Sequence, residues 1–132
     1  MPDELSHVRG WFLKAESDFI TAERGVESDG PYDTACFHAQ QAVEKYLKGF
    51  LALHRQAFHQ THNLEELQRL GQSSVPGWPL AGMDLTELTS YAVQVRYDLE
   101  FWPDHETARE ALEMAREVRR RVLAAVPKEA QP

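Results

Sequence analysis

Apolar residues recur three and four positions apart along most of the chain, and the longest such stripe runs from Tyr32 to His54. Tyr32, Cys36, Ala39, Val43, Tyr46, Phe50 and Leu53 share one face at helical spacing, with Ala35, Ala42 and Leu47 widening it. Ser28-Asp29-Gly30-Pro31 supplies a turn before it, and Pro31 is tolerated at or beside a first helical turn.

Four further stretches complete the pattern. From Leu5, the residues Val8, Phe12, Ala15, Phe19, Ala22 and Val26 form a seam that ends at the Ser-Asp-Gly-Pro turn. A polar connection, Arg55–His62, leads to Asn63-Leu-Glu-Glu66. That tetrapeptide has the form of a capping box opening a short helix through about Leu70, with Gly71 near its end. Gln72–Met83 reads as a loop broken by Pro76, Gly77, Pro79 and Gly82, from which Trp78 is expected to fold back onto the core. A second capping signature, Asp84-Leu-Thr-Glu87, opens a seam of Leu85, Leu88, Ala92, Val95, Leu99 and Trp102. Asp104 caps a last helix carrying Ala108, Ala111, Ala115, Val118, Val122 and Ala125.

No period-two alternation appears. The pattern predicts an all-α domain over residues 1–132: an antiparallel four-helix up-and-down bundle with one additional short helix. Its core spans about residues 4–126, before a short polar tail. Trp11, Ile20 and Leu112 are apolar positions beyond what one small bundle buries, which points to a homodimer.

Composition narrows the setting. No apolar run reaches the roughly 20 residues of a membrane span, and the N-terminus lacks a signal-peptide apolar region, so a cytoplasmic protein is expected. Cys36, the only cysteine, lies on the core stripe and reads as a buried structural thiol. A net charge of −7 argues against coating nucleic acid through bulk charge, but leaves room for a local basic groove.

Candidate chemistry is confined to a few polar positions. His38, Gln41, Lys45 and Lys48 form a stripe roughly opposite the apolar one. With His38, Lys45 and Lys48 could hold phosphate oxygens; a solvated face with Glu44 offsetting the charge is the alternative. Arg96, Tyr97 and Asp98 could bind phosphate, stack a base and orient the arginine, or could be surface charges around a tyrosine that caps the core. His54, His59 and His62 lack the partners of a metal site, so neither metal nor cofactor is expected. Arg116, Arg119, Arg120 and Arg121 suit the C-terminal end of a helix.

The segments Trp11–Phe19, Tyr32–Leu51, Thr61–Leu67, Ala92–Asp98 and Ala108–Val118 together resemble the HEPN domain family; the block FHAQQAVEKYLK is the most specific of them. The resemblance implies a helical bundle that commonly dimerises and an RNA- or nucleotide-related role, in some members as ribonucleases paired with small nucleotidyltransferases. The family's ribonuclease motif is an arginine followed after four to six residues by a histidine. Arg96 and His105 have eight residues between them. Arg55 and His62 have six but lie in the connection after the second helix. RYD also departs from members with proline after the tyrosine, so the helix there is expected to run on. The leading expectation is a binding module for nucleotide or RNA, acting with a small nucleotidyltransferase. The alternatives are a metal-independent endoribonuclease toxin and a purely structural interaction module.

Overall fold

A computed structural model describes residues 2–132, with side chains from residue 4 onward. Among the described residues, six α-helices follow one another: α1 Pro2–Glu27, α2 Asp33–Leu53, α3 Leu64–Ser74, α4 Thr86–Thr89, α5 Tyr91–Tyr97 and α6 His105–Ala124. A 3₁₀ turn, Lys128–Ala130, closes the chain. Among the described residues there is no strand, and no helix is long and apolar enough to cross a membrane.

The two longest seams bury each other. Val8, Phe12, Ala15, Phe19, Ala22 and Val26 of α1 are all buried, as is the α2 stripe from Ala35 to Leu51. Two glycines let the antiparallel backbones approach. A Cβ on Gly25 would stand 2.8 Å from that of Ala35, and one on Gly49 would stand 2.6 Å from the Phe12 ring. Helix α6 lies antiparallel to α1 and is pinned along it. Arg119 pairs with Glu16 at 2.8 Å and Arg116 with Glu23 at 3.3 Å, while Tyr46 also donates to Glu16. These arginines therefore clamp two helices rather than only decorating a helix end.

The predicted fourth long helix is instead two short ones. The helical run ends at Tyr97 because Asp98 turns extended and its carboxylate accepts from the Glu100 backbone N–H, a local turn that competes with the helix. Leu99 and Trp102, expected in the seam, are consequently 85% and 66% exposed, and the expected run-on after Arg96-Tyr97-Asp98 does not occur. Three long helices thus carry the fold, with α3, α4 and α5 packed around α2.

Local details correct other expectations. Asn63 caps α3 through Glu65 and Glu66 N–H, but Glu66 turns to Thr61 and His59 rather than back to Asn63. Gly71 lies inside α3, where its missing side chain admits the Trp78 ring, which is buried and donates to Gln68. Asp104 caps α6 as expected. The polar tail docks: Ala130 is buried, and the Gln131 amide donates to the carbonyls of Leu123 and Val126. Of the apolar positions beyond the seams, Leu112 is buried, Trp11 half-buried and Ile20 42% exposed.

Candidate functional site

The polar stripe of α2 is not a plain solvated face. Its residues fall into two carboxylate-centred clusters, one on α1 and one within α2.

In the first, Asp18 of α1 reaches across to α2. Its carboxylate takes a hydrogen bond from Lys45 and lies 2.8 Å from Nδ1 of His38. Burial pushes the Asp18 carboxyl up, but its hydrogen bonds to His38 and Lys45 outweigh that and hold it below the usual carboxylate range. The His38 ring stands edge-on to Phe37, and the Arg96 guanidinium lies 5.8 Å from the centre of the same Phe37 ring. Arg96 is further fixed by a 2.7 Å bond from Nε to the Ala92 carbonyl and lies 5.4 Å from the Tyr97 ring. Arg96 and Tyr97 are exposed, Tyr97 by 71%. Phe37 of α2 thus stands between Arg96 on α5 and His38, which shares Asp18 with Lys45.

Lys48 belongs to the second cluster. Glu44 is 3% exposed, and three donors satisfy its carboxylate: Lys48 Nζ at 3.0 Å, His62 Nδ1 at 2.9 Å and Gln40 Nε2 at 3.2 Å. Lys48 is itself buried, with its ammonium 5.8 Å from the Trp11 ring and 5.9 Å from Phe58. A buried, saturated cation of this kind holds structure together rather than offering charge to a ligand. Of Lys45, Lys48 and Arg96, only Arg96 lacks a carboxylate partner among the described residues. Asp98 is exposed and caps the turn after α5.

The arginine–histidine pairs are drawn apart by their own contacts. His105 Nε2 lies 3.0 Å from the Val26 carbonyl and its ring meets Tyr32 edge-on, while Arg96 faces Phe37. Arg55 terminates α2 at a φ of 56°, within a Schellman motif: Arg55 N–H bonds Ala52 and Gln56 N–H bonds Leu51. Its guanidinium pairs with Glu4, whereas His62 pairs with Glu44. His59 pairs with Glu66 and His54 packs on Phe50, and no metal-holding cluster exists among the described residues.

Sequence reasoning weighed Glu44 as an offset to the lysines but missed Asp18 and the burial of Glu44. Asp18 and Glu44 each sit beside a seam residue, Phe19 and Val43, and a carboxylate at the margin of an apolar stripe was the available signal. Gln40, wholly buried next to Ala39, gave a similar one.

The arrangement defines a helical domain built on one central polar-edged helix. The HEPN domain family model matches residues 8–126, and the chain belongs to that family. Among solved structures it is similar to the crystal structure of TT1696 from Thermus thermophilus. The two share 28% identity at a TM-score of 0.71, over 90% of this chain and 98% of that one. Among curated proteins none matches.

Proposed function

We propose that the chain is a HEPN module that binds nucleotide or RNA through Arg96 and Tyr97, with His38 and Lys45 beside them. The observation that carries this reading is Arg96 itself, an exposed guanidinium without a carboxylate partner among the described residues, set against two aromatic rings. A guanidinium supplies charge and paired donors to a phosphate, and an exposed tyrosine ring supplies a stacking face for a base. Lys45 adds less than its charge suggests because Asp18 offsets it, and Lys48 supports the helix rather than the ligand. Asp98 orients the end of α5.

The reading includes little or no RNA cleavage. His105 is occupied at the Val26 carbonyl, and Arg55 and His62 answer to different carboxylates. It places the module in the cytoplasm with a small nucleotidyltransferase as partner, and as a homodimer whose exposed Leu13 and Ile20 on α1 would be covered. The test is a titration of single-stranded RNA against wild type and Arg96→Ala. Lower affinity in a variant that keeps its helicity supports the reading; unchanged affinity rejects it.

A further inference from the structure

The segment between α5 and α6 turns its apolar residues in opposite directions. Phe101 packs on the core, its ring centre 5.6 Å from that of Tyr91. Leu99 and Trp102, on either side of it, are 85% and 66% exposed. This outward pair does not come from a slack loop. Asp98 closes a turn at one end, its carboxylate accepting from the Glu100 N–H and its carbonyl from the Phe101 N–H, both at 3.1 Å. At the other end the Asp104 carboxylate caps α6 by accepting from the Thr107 N–H at 2.8 Å, and His105 is tied to the Val26 carbonyl. Pro103 fixes its own φ and restrains Trp102 to extended backbone. A leucine and a tryptophan held in water on an anchored segment have already lost the chain entropy that docking otherwise costs.

Charge decides what docks. Asp98, Glu100 and Asp104 are exposed around the two apolar side chains, and the sequence holds no lysine or arginine from Tyr97 to Ala108. Among the described residues the Glu100 carboxylate has no hydrogen-bond or ion-pair partner. A patch of this sign repels the phosphates of RNA and anionic lipid headgroups. It also repels itself, because a two-fold contact through it would set the patch against its own image. It suits an apolar cleft rimmed by lysine or arginine, where a buried tryptophan is among the residue types that carry most binding energy.

We infer that Leu99 and Trp102 form a docking knob for a second protein, which receives both in an apolar cleft rimmed by basic side chains. Trp102 fills the cleft, and Glu100 meets the rim and steers the approach. The inference goes beyond the Arg96 reading and uses neither Arg96 nor Tyr97.

The experiment replaces Trp102 or, as a control, the exposed Gln72 of α3 by the photo-crosslinking residue p-benzoyl-phenylalanine in the full chain, expressed in its native cells. Mass spectrometry then identifies the adducts formed on irradiation. One other protein should be captured from position 102 and not from position 72, at an apolar residue flanked by lysine or arginine. That protein, purified, is titrated with wild type, Trp102→Ala and Glu100→Lys. Trp102→Ala should weaken binding about thirtyfold, the loss typical of an interface hot spot. Glu100→Lys should weaken it about threefold or more at low salt, and less as salt rises. Single-stranded RNA binding by Trp102→Ala should stay at the wild-type level. Adducts from position 102 to a second copy of the chain, to RNA or to lipid would overturn the inference, as would no adduct at all. So would a captured protein that binds Trp102→Ala as tightly as wild type, or a loss of RNA binding in that variant. Should Trp102→Ala fail to fold, Glu100→Lys decides in its place.

Discussion

Glu44 and Lys48, one turn apart on α2, meet at 3.0 Å with their side chains only 4% and 9% exposed. Pairs at this spacing on a solvated helix contribute only about 0.2–0.5 kcal/mol, and exposed ones little more. Inside a bundle the balance changes, because removing one partner strands the other charge away from water. Lys48→Met should therefore destabilise the fold by about 3 kcal/mol, and adding Glu44→Gln should recover a large part of that loss. Urea unfolding of the single and double variants reads this directly. Additive losses would mean the pair is not coupled.

Asp18 makes stability depend on acid. Its folded pKa is lowered, so the stability it contributes is present above the pKa of the unfolded carboxyl, about 3.9, and is lost as pH falls through the folded value. Asp18→Asn should be clearly less stable than wild type at pH 7, with the gap closing below pH about 4. A gap independent of pH between 7 and 3 would assign the effect of Asp18 to packing alone.

Gly71 reverses the usual helix rule. Alanine inside a helix is ordinarily better than glycine by about 1 kcal/mol. Here the added Cβ would stand 2.3–2.4 Å from three atoms of the Trp78 indole. Gly71→Ala should expel that ring, destabilise the protein by about 1–3 kcal/mol and red-shift tryptophan emission. A stabilised variant with unchanged fluorescence would contradict the packing described.

Cys36 is wholly buried, and desolvation, with smaller contributions from Asp33, Asp104 and Glu87, pushes its thiol up to about 12. Because the thiolate is the reactive form, native protein at pH 8 should resist alkylation by iodoacetamide and react once unfolded. Mass spectrometry of the two samples distinguishes a buried thiol from an accessible one.

The fold was readable wherever apolar spacing was long and unbroken. Every seam position from Val8 to Val26 and from Ala35 to Phe50 is buried, as expected. The reading failed where the seam was carried on past local turn chemistry. Leu99 and Trp102 keep the spacing but lose the helix, because Asp98 folds its side chain onto the following backbone. The candidate site was half legible. Spacing put His38, Lys45 and Lys48 on one side of a helix and Glu44 one turn from Lys48, but only tertiary packing sets Asp18 against the first two and buries the Glu44–Lys48 pair. Periodicity says which face a residue occupies, not what the neighbouring helix brings to it.

The central claim, that Arg96 is a phosphate contact, is tested most directly by the salt dependence of single-stranded RNA binding. Each phosphate contact by a cation contributes about 0.7 to the slope of log K against log salt for single strands. Titrations of wild type and Arg96→Ala across a series of salt concentrations give both slopes. The account predicts weaker binding by Arg96→Ala, with a slope shallower by about 0.7. Equal affinity and equal slope in the two proteins would contradict it.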